Sequence, residues 1–166
     1  MNTDSHKSEH YQIFSKIRFF FNSIKFQESV FALPFAYMGM ILAEDRFPEV
    51  DVFVKISVAM VCARTVGMIA NRVIDRKIDA KNPRTSSRHL PTGQLETIEM
   101  VVPGAIALVI FTITAWQLNA LALILSPFAI AYLIIYPYAK RFTWLANIIL
   151  GWALGIAPSA AWIAVT

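Results

Sequence analysis

The chain has 166 residues, 57% of them hydrophobic and 16% charged, with a formal net charge of +4. At a mean hydropathy of +0.54 it is too apolar for an ordinary soluble domain of this size, and it reads as an all-α integral membrane protein. Its one cysteine, Cys62, excludes a disulfide framework and a cysteine-based metal site, and reads as an inert buried thiol. His6, His10 and His89 are scattered without metal-ligand spacing. The pI of 9.4 does not point to nucleic acid, because the positive residues sit where membrane topology requires them.

In chain order, residues 1–10 are polar and lack the apolar core and small-residue cleavage site of a secretory signal, so the N-terminus is expected to stay on the protein. Residues 11–25 place Ile13, Phe14, Ile17, Phe20, Phe21 and Ile24 on one helical stripe, with Lys16, Arg18, Asn22 and Lys25 largely elsewhere. That pattern predicts a helix lying in the interface of an anionic bilayer; the alternative is a solvated lead-in to the first span. The chain thus divides into a polar N-terminus with an interfacial helix over 1–26 and a membrane domain over 27–166.

Five apolar runs follow, at roughly 27–43, 52–70, 99–116, 120–138 and 144–165, each close to the ~20 residues that a ~30 Å hydrocarbon core demands. The first connection is net acidic, with Glu44, Asp45, Arg46, Glu49 and Asp51, and the Gln117 to Asn119 connection is uncharged, so both belong outside. The N-terminal segment carries Lys16, Arg18 and Lys25, the 71–98 loop carries six Lys or Arg against three acids, and Lys140-Arg141 joins the last two runs. By the positive-inside rule these three segments face the cytoplasm, and the strict alternation supports five spans independently of hydropathy.

Asn71, Asp75 and Asp79 recur at i, i+4 and i+8, on one helix face at the cytoplasmic end of the second run. Two carboxylates four apart repel each other, and a bound cation reverses that penalty. Mg²⁺ takes one or two carboxylates together with substrate phosphates and water, so this face suits a Mg²⁺–diphosphate site. The alternative is that Arg72 and Arg76, each three residues before an Asp, form local salt bridges at a wet helix end. Lys77, Lys81, Arg84, Arg88 and His89 form a basic loop able to hold phosphate oxygens, although such a loop also collects cations merely to set topology. Leu90-Pro91-Thr92-Gly93 reads as a turn without chemistry. Tyr136 and Lys140, four apart at the cytoplasmic end of the fourth run, also fit an interfacial tyrosine and a snorkelling lysine.

The stretch 64–94, with Asn71, Asp75, Asp79, Asn82-Pro-Arg-Thr85 and Arg88-His-Leu-Pro-Thr-Gly93, resembles the first aspartate motif of the UbiA superfamily of intramembrane aromatic prenyltransferases. Tyr136 to Arg141, followed by Gly151, Gly155 and Pro158, is similar to that superfamily's tyrosine-lysine motif and glycine-rich helix. The resemblance covers most of residues 25–165, and the nearest branch is the bacterial 4-hydroxybenzoate polyprenyltransferases, with their relatives in menaquinone synthesis. It implies a nine-helix transmembrane bundle in the bacterial inner membrane, of which this chain supplies five helices.

It also implies that an isoprenyl diphosphate donates a polyprenyl group to an aromatic acid, 4-hydroxybenzoate first among candidates, in ubiquinone or menaquinone synthesis. Asn71, Asp75 and Asp79 then hold Mg²⁺ on the diphosphate, Lys140 contacts the diphosphate, Tyr136 lines the same mouth, and Arg84 and Arg88 close over the phosphates. The family often has an Arg near an Asp in its first helix, facing the acceptor's carboxylate. This chain has Lys25-Phe-Gln-Glu28 there, which makes Lys25 the candidate.

Five runs and a single Asp-x-x-x-Asp pair, at 75–79, depart from nine helices and two aspartate motifs. The chain is therefore expected to be the N-terminal part of a longer enzyme and to lack prenyl transfer alone. Two other readings stand beside this one. A CDP-alcohol phosphotransferase would show an Asp-Gly before Ala63-Arg64, which is absent. A non-catalytic scaffold or transporter fragment would use its charges only for topology.

Overall fold

The computed structural model describes residues 14–44, 48–142 and 146–166, without the side chains of Glu44, Lys140, Ala146, Asn147, Leu150, Ala153 and Leu154. Ile13, His6, His10, Asp45 and Arg46 lie outside the described residues. All regular structure among those described is helical: α1 (residues 14–23), α2 (Phe26–Glu44), α3 (Val50–Asp79), α4 (Thr97–Leu118), α5 (Ala120–Phe142) and α6 (Ala146–Val165).

Among the described residues four helices, α2 to α5, are long and apolar enough to cross a membrane. α6, at 20 residues, has comparable length and carries a described apolar stretch over Gly155–Val165. These helices match the five apolar runs, and the chain is an integral membrane protein.

The five long helices close into a ring in which each packs against its chain neighbours and α6 returns to α2. α3 also reaches across to α5 and α6, so the 30-residue helix with the acidic face stands at the centre. Three apolar clusters mark its length. Ile56 packs with Ala36, Met40, Ala161 and Ala164; Cys62 and Val66 with Ala107 and Ile130; Ile69 with Ile24, Leu90, Leu95 and Met100. Lipid tails are as apolar as leucine, so close approach and hydrogen bonding, more than burial from water, hold such helices together. Gly39 lets α2 approach the Pro158 backbone of α6, and Gly104 of α4 faces the Ile69 side chain.

Prolines inside the helices are accommodated locally. Pro127 cannot donate to the Leu123 carbonyl four residues back, and the Ser126 hydroxyl donates to that oxygen instead at 2.8 Å. Asn119, between α4 and α5, accepts from the Ala122 amide at 2.7 Å and donates its own amide to the Ile163 carbonyl at 2.7 Å, fastening α6 to that turn.

α1 covers the opposite end. Phe19 and Phe20 pack on the Ile24, Leu90, Leu95 and Met100 cluster, while Phe14, Ile17 and Phe21 stay exposed. The apolar stripe read from the sequence is thus shared between an inward-facing and an outward-facing set. Lys16 donates to Glu99 at 2.5 Å, a bond that holds its ammonium pKa above the ordinary lysine range. Glu99 in turn accepts the Glu96 amide at 2.9 Å, so one carboxylate both caps α4 and anchors α1.

Candidate active site

The last three turns of α3 carry Asn71, Asp75 and Asp79, and the chain then turns back over them. The Thr85 hydroxyl donates to the Asp79 carbonyl at 3.0 Å, Asn82 accepts the Arg84 amide at 3.0 Å, and Gly93 sits at φ +78°, a left-handed turn position that suits glycine. Leu90 and Leu95 are buried beneath this segment. His89 stacks on Phe19 with ring centroids 4.4 Å apart and its Nδ1 lies 2.5 Å from Gln94 Oε1. The 80–96 segment is therefore a packed cap, and the Leu90–Gly93 turn anchors it.

Asp75 and Asp79 are buried, at 5% and 7% exposure, in a place where an uncompensated carboxylate is costly. Arg88 of the cap donates to Asp79 Oδ2 at 2.6 Å. Arg141, at the end of α5, donates to Asp75 Oδ1 at 2.9 Å and to the Ile74 carbonyl at 2.9 Å. The local-pairing alternative is corrected here: Arg72 Nε donates to the Ser23 carbonyl and Arg76 to the Thr97 hydroxyl, each at 2.9 Å. Each guanidinium is instead taken up by a partner from another segment, and the two acids by arginines of the cap and of α5.

A cavity of about 300 Å³ is lined by Lys25, Glu28, Arg64, Asn71, Arg72, Arg88 and Tyr136 at its polar side, and by Ala32, Phe35, Met60, Met68 and Leu133 among its apolar walls. Asp75 and Asp79 do not line it themselves and adjoin it through Asn71, one turn before Asp75, and Arg88, which bonds Asp79. Lys25, Asn71, Arg88 and Tyr136 thus line the same cavity. Arg84 is exposed and stands apart from the cavity. Lys140 is one helical turn beyond Tyr136, with its side chain outside the description. Lys25 reaches the cavity through an unusual backbone: its φ is +52°, the left-handed region rare for a residue with a Cβ, and it pairs with Glu28.

Three functional candidates escaped the sequence reading. Sequence alone offers Arg72 a local pairing and Arg141 a topological role, whereas the structure sets Arg72 in the cavity wall and Arg141 on Asp75. Arg64 lies 4.0 Å from Glu28, and its Nε is buried with no hydrogen-bond partner among the described residues. Its spacing of seven from Asn71 places both on one helix face, a signal the sequence did contain.

Among the described residues no three His, Cys, Asp or Glu side chains cluster to hold a metal unaided. The donors present are oxygens of two carboxylates and an amide on one face, which fits a hard cation that completes its shell with phosphate oxygens and water. Basic side chains over apolar walls suit a ligand with an anionic head and an apolar body. The architecture is that of a membrane-embedded helical bundle with a charged cavity at one end.

The chain belongs to the UbiA prenyltransferase family, whose profile matches residues 32–166. It is 36% identical over 127 residues to the 4-hydroxybenzoate octaprenyltransferase of Haemophilus ducreyi, covering 76% of this chain and 46% of that one. To the enzyme of the same name from Vibrio atlanticus it is 34% identical over 128 residues, covering 77% and 45%. The chain spans about half the length of the curated relatives it matches. A solved apo structure of a UbiA homolog from Aeropyrum pernix K1 superposes with a TM-score of 0.79 at 34% identity, over 84% of this chain and 50% of that one. A digeranylgeranylglyceryl phosphate synthase structure shares the fold, with a TM-score of 0.83 at 20% identity, over 92% of this chain and 54% of that one.

Proposed function

We propose that this chain forms the diphosphate-binding half of an enzyme that transfers a polyprenyl group from an isoprenyl diphosphate to an aromatic acid, 4-hydroxybenzoate being the best candidate, in ubiquinone or menaquinone synthesis. The observation that carries the reading is the pair of buried carboxylates, Asp75 and Asp79, beside a cavity lined by Lys25, Arg64, Asn71, Arg72, Arg88 and Tyr136. The names of the curated relatives support the acceptor. The family match favours this reading over a CDP-alcohol phosphotransferase.

Asn71, Asp75 and Asp79 would hold Mg²⁺, which when bound draws charge off the departing diphosphate. Arg88 and Lys140 share the phosphate oxygens, and Tyr136 lines the mouth. The allylic carbon–oxygen bond breaks with its electron pair passing to the diphosphate, and the ring carbon ortho to the acceptor's hydroxyl attacks the resulting cation. A ring proton then leaves. Phe35, Met60 and Leu133 keep water from the cation, and Arg64, whose Nε lacks a partner among the described residues, meets the acceptor's carboxylate together with Lys25.

The charge pattern supports placing the N-terminus, the 80–96 cap and the end of α5 on the cytoplasmic side of a bacterial inner membrane. The exposed Phe14, Ile17 and Phe21 of α1 then lie in the interface. Because the relatives contain about as much chain again, these residues alone are proposed to bind donor without turning it over. Mg²⁺-dependent transfer by the purified chain would overturn that division of labour.

The deciding experiment titrates the chain, reconstituted in lipid nanodiscs, with geranyl diphosphate and Mg²⁺. Binding is expected to require Mg²⁺ and to fall at least tenfold in Asp75→Asn and in Asp79→Asn, each of which removes one charge-assisted contact. Unchanged binding in both would leave the charges with a topological role only, as in a scaffold or transporter fragment.

A further inference from the structure

Each acidic group of the proposed metal face is already neutralised by an arginine from a different part of the fold. Arg88 comes from the cap and Arg141 from the end of α5, at 2.6 and 2.9 Å from Asp79 and Asp75. Arg141 is held on three sides, by the Asp75 carboxylate, by the Ile74 carbonyl at 2.9 Å and by the Tyr138 ring with its centroid 5.2 Å away. Both guanidiniums remain about one-third exposed, 35% for Arg88 and 28% for Arg141, while the carboxylates beneath them are 11% and 7% exposed. The arginines lie over the acids and have room to leave.

We propose that Arg88 and Arg141 stand in for the metal in the resting protein, so that the cation and the diphosphate enter together and neither binds well alone. The inference rests on the metal–diphosphate reading above and adds to it an order of events. A cation arriving alone must displace two guanidiniums from their buried carboxylates, in a site where an unpaired buried charge is costly. A diphosphate arriving with the cation offers those guanidiniums planar, bidentate oxygen partners, so the exchange conserves charge pairing. Because Arg88 belongs to the cap and Arg141 to α5, moving both from carboxylate to phosphate draws the two elements over the same ligand. The mutual dependence is a coupling free energy and must be reciprocal.

The test measures Mn²⁺ binding by electron paramagnetic resonance on the nanodisc-reconstituted chain, with and without inorganic pyrophosphate. Wild type is expected to bind Mn²⁺ weakly alone and roughly tenfold or more tightly with pyrophosphate, within the usual range of coupling between sites. Arg141→Gln and Arg88→Gln are expected to bind Mn²⁺ alone more tightly than wild type and to lose most of the pyrophosphate enhancement. If both variants keep wild-type helicity by circular dichroism but leave Mn²⁺ affinity without pyrophosphate unchanged or weaker, the stand-in role is wrong and the pairs are merely structural. Should Arg141→Gln fail to fold, Arg88→Gln alone decides, because Arg88 itself lies in the cap, outside the helical ring. If wild type binds no Mn²⁺ even with pyrophosphate, the metal–diphosphate reading itself fails, an outcome distinct from the one that overturns the exchange.

Discussion

Gly39 of α2 lies so close to Pro158 of α6 that a Cβ built on it would stand 2.2 Å from the Pro158 carbonyl oxygen. The contact is with backbone, which cannot swing aside as a side chain can, and it joins the first and last helices of the ring. Gly39→Ala is therefore expected to cost about 1–3 kcal/mol through overpacking. Gly155→Ala, where a Cβ meets nothing within 4 Å, should cost nothing. Thermal unfolding of the two variants in one detergent checks the contrast, and equal midpoints would refute the close approach.

The Ser126 hydroxyl replaces the amide that Pro127 lacks. Ser126→Ala should lose about 1 kcal/mol, the ordinary net worth of a hydrogen bond. In a Pro127→Ala background the restored amide can bond Leu123 by itself, so the same substitution should cost almost nothing. A double-mutant cycle reads this coupling, and additive effects would show that serine serves some other purpose.

Lys25 occupies a left-handed backbone position at the bend between α1 and α2 while its side chain lines the cavity. Lys25→Gly is expected to be about 1 kcal/mol more stable than Lys25→Ala, because only glycine adopts that conformation freely. Both should weaken binding of geranyl diphosphate or 4-hydroxybenzoate to a similar degree, since both delete the ammonium. Equal stability of the two variants would mean that the bend is not left-handed in solution.

Arg64 brings to the cavity a guanidinium whose Nε is buried and has no hydrogen-bond partner among the described residues. Arg64→Gln should raise the dissociation constant for 4-hydroxybenzoate about tenfold or more, the size of a lost charged hydrogen bond. Metal-dependent binding of pyrophosphate should move far less. Isothermal titration with the two ligands separates these effects, and a larger loss for pyrophosphate would reassign Arg64 to the donor's head.

Much of this was legible in the order of residues. Helix periodicity put Asn71, Asp75 and Asp79 on one face, and the length of the apolar runs marked the long helices, four of which among the described residues are apolar and long enough to span, because both depend only on local spacing. Asn71, Lys25, Arg88 and Tyr136, all singled out in the sequence, line one cavity. Arg84 does not, since cap residues are placed by where Leu90 and Leu95 bury themselves and not by their own charge.

What only the tertiary structure decided are the pairings across distance. Arg141 reaches Asp75 and Arg88 reaches Asp79, while Arg72, beside Asp75 in sequence, turns to the Ser23 carbonyl. Spacing fixes which face of a helix a side chain occupies. It does not fix which helix comes to lie opposite, because that follows from packing such as Gly39 against Pro158, to which residues far apart in the chain contribute together.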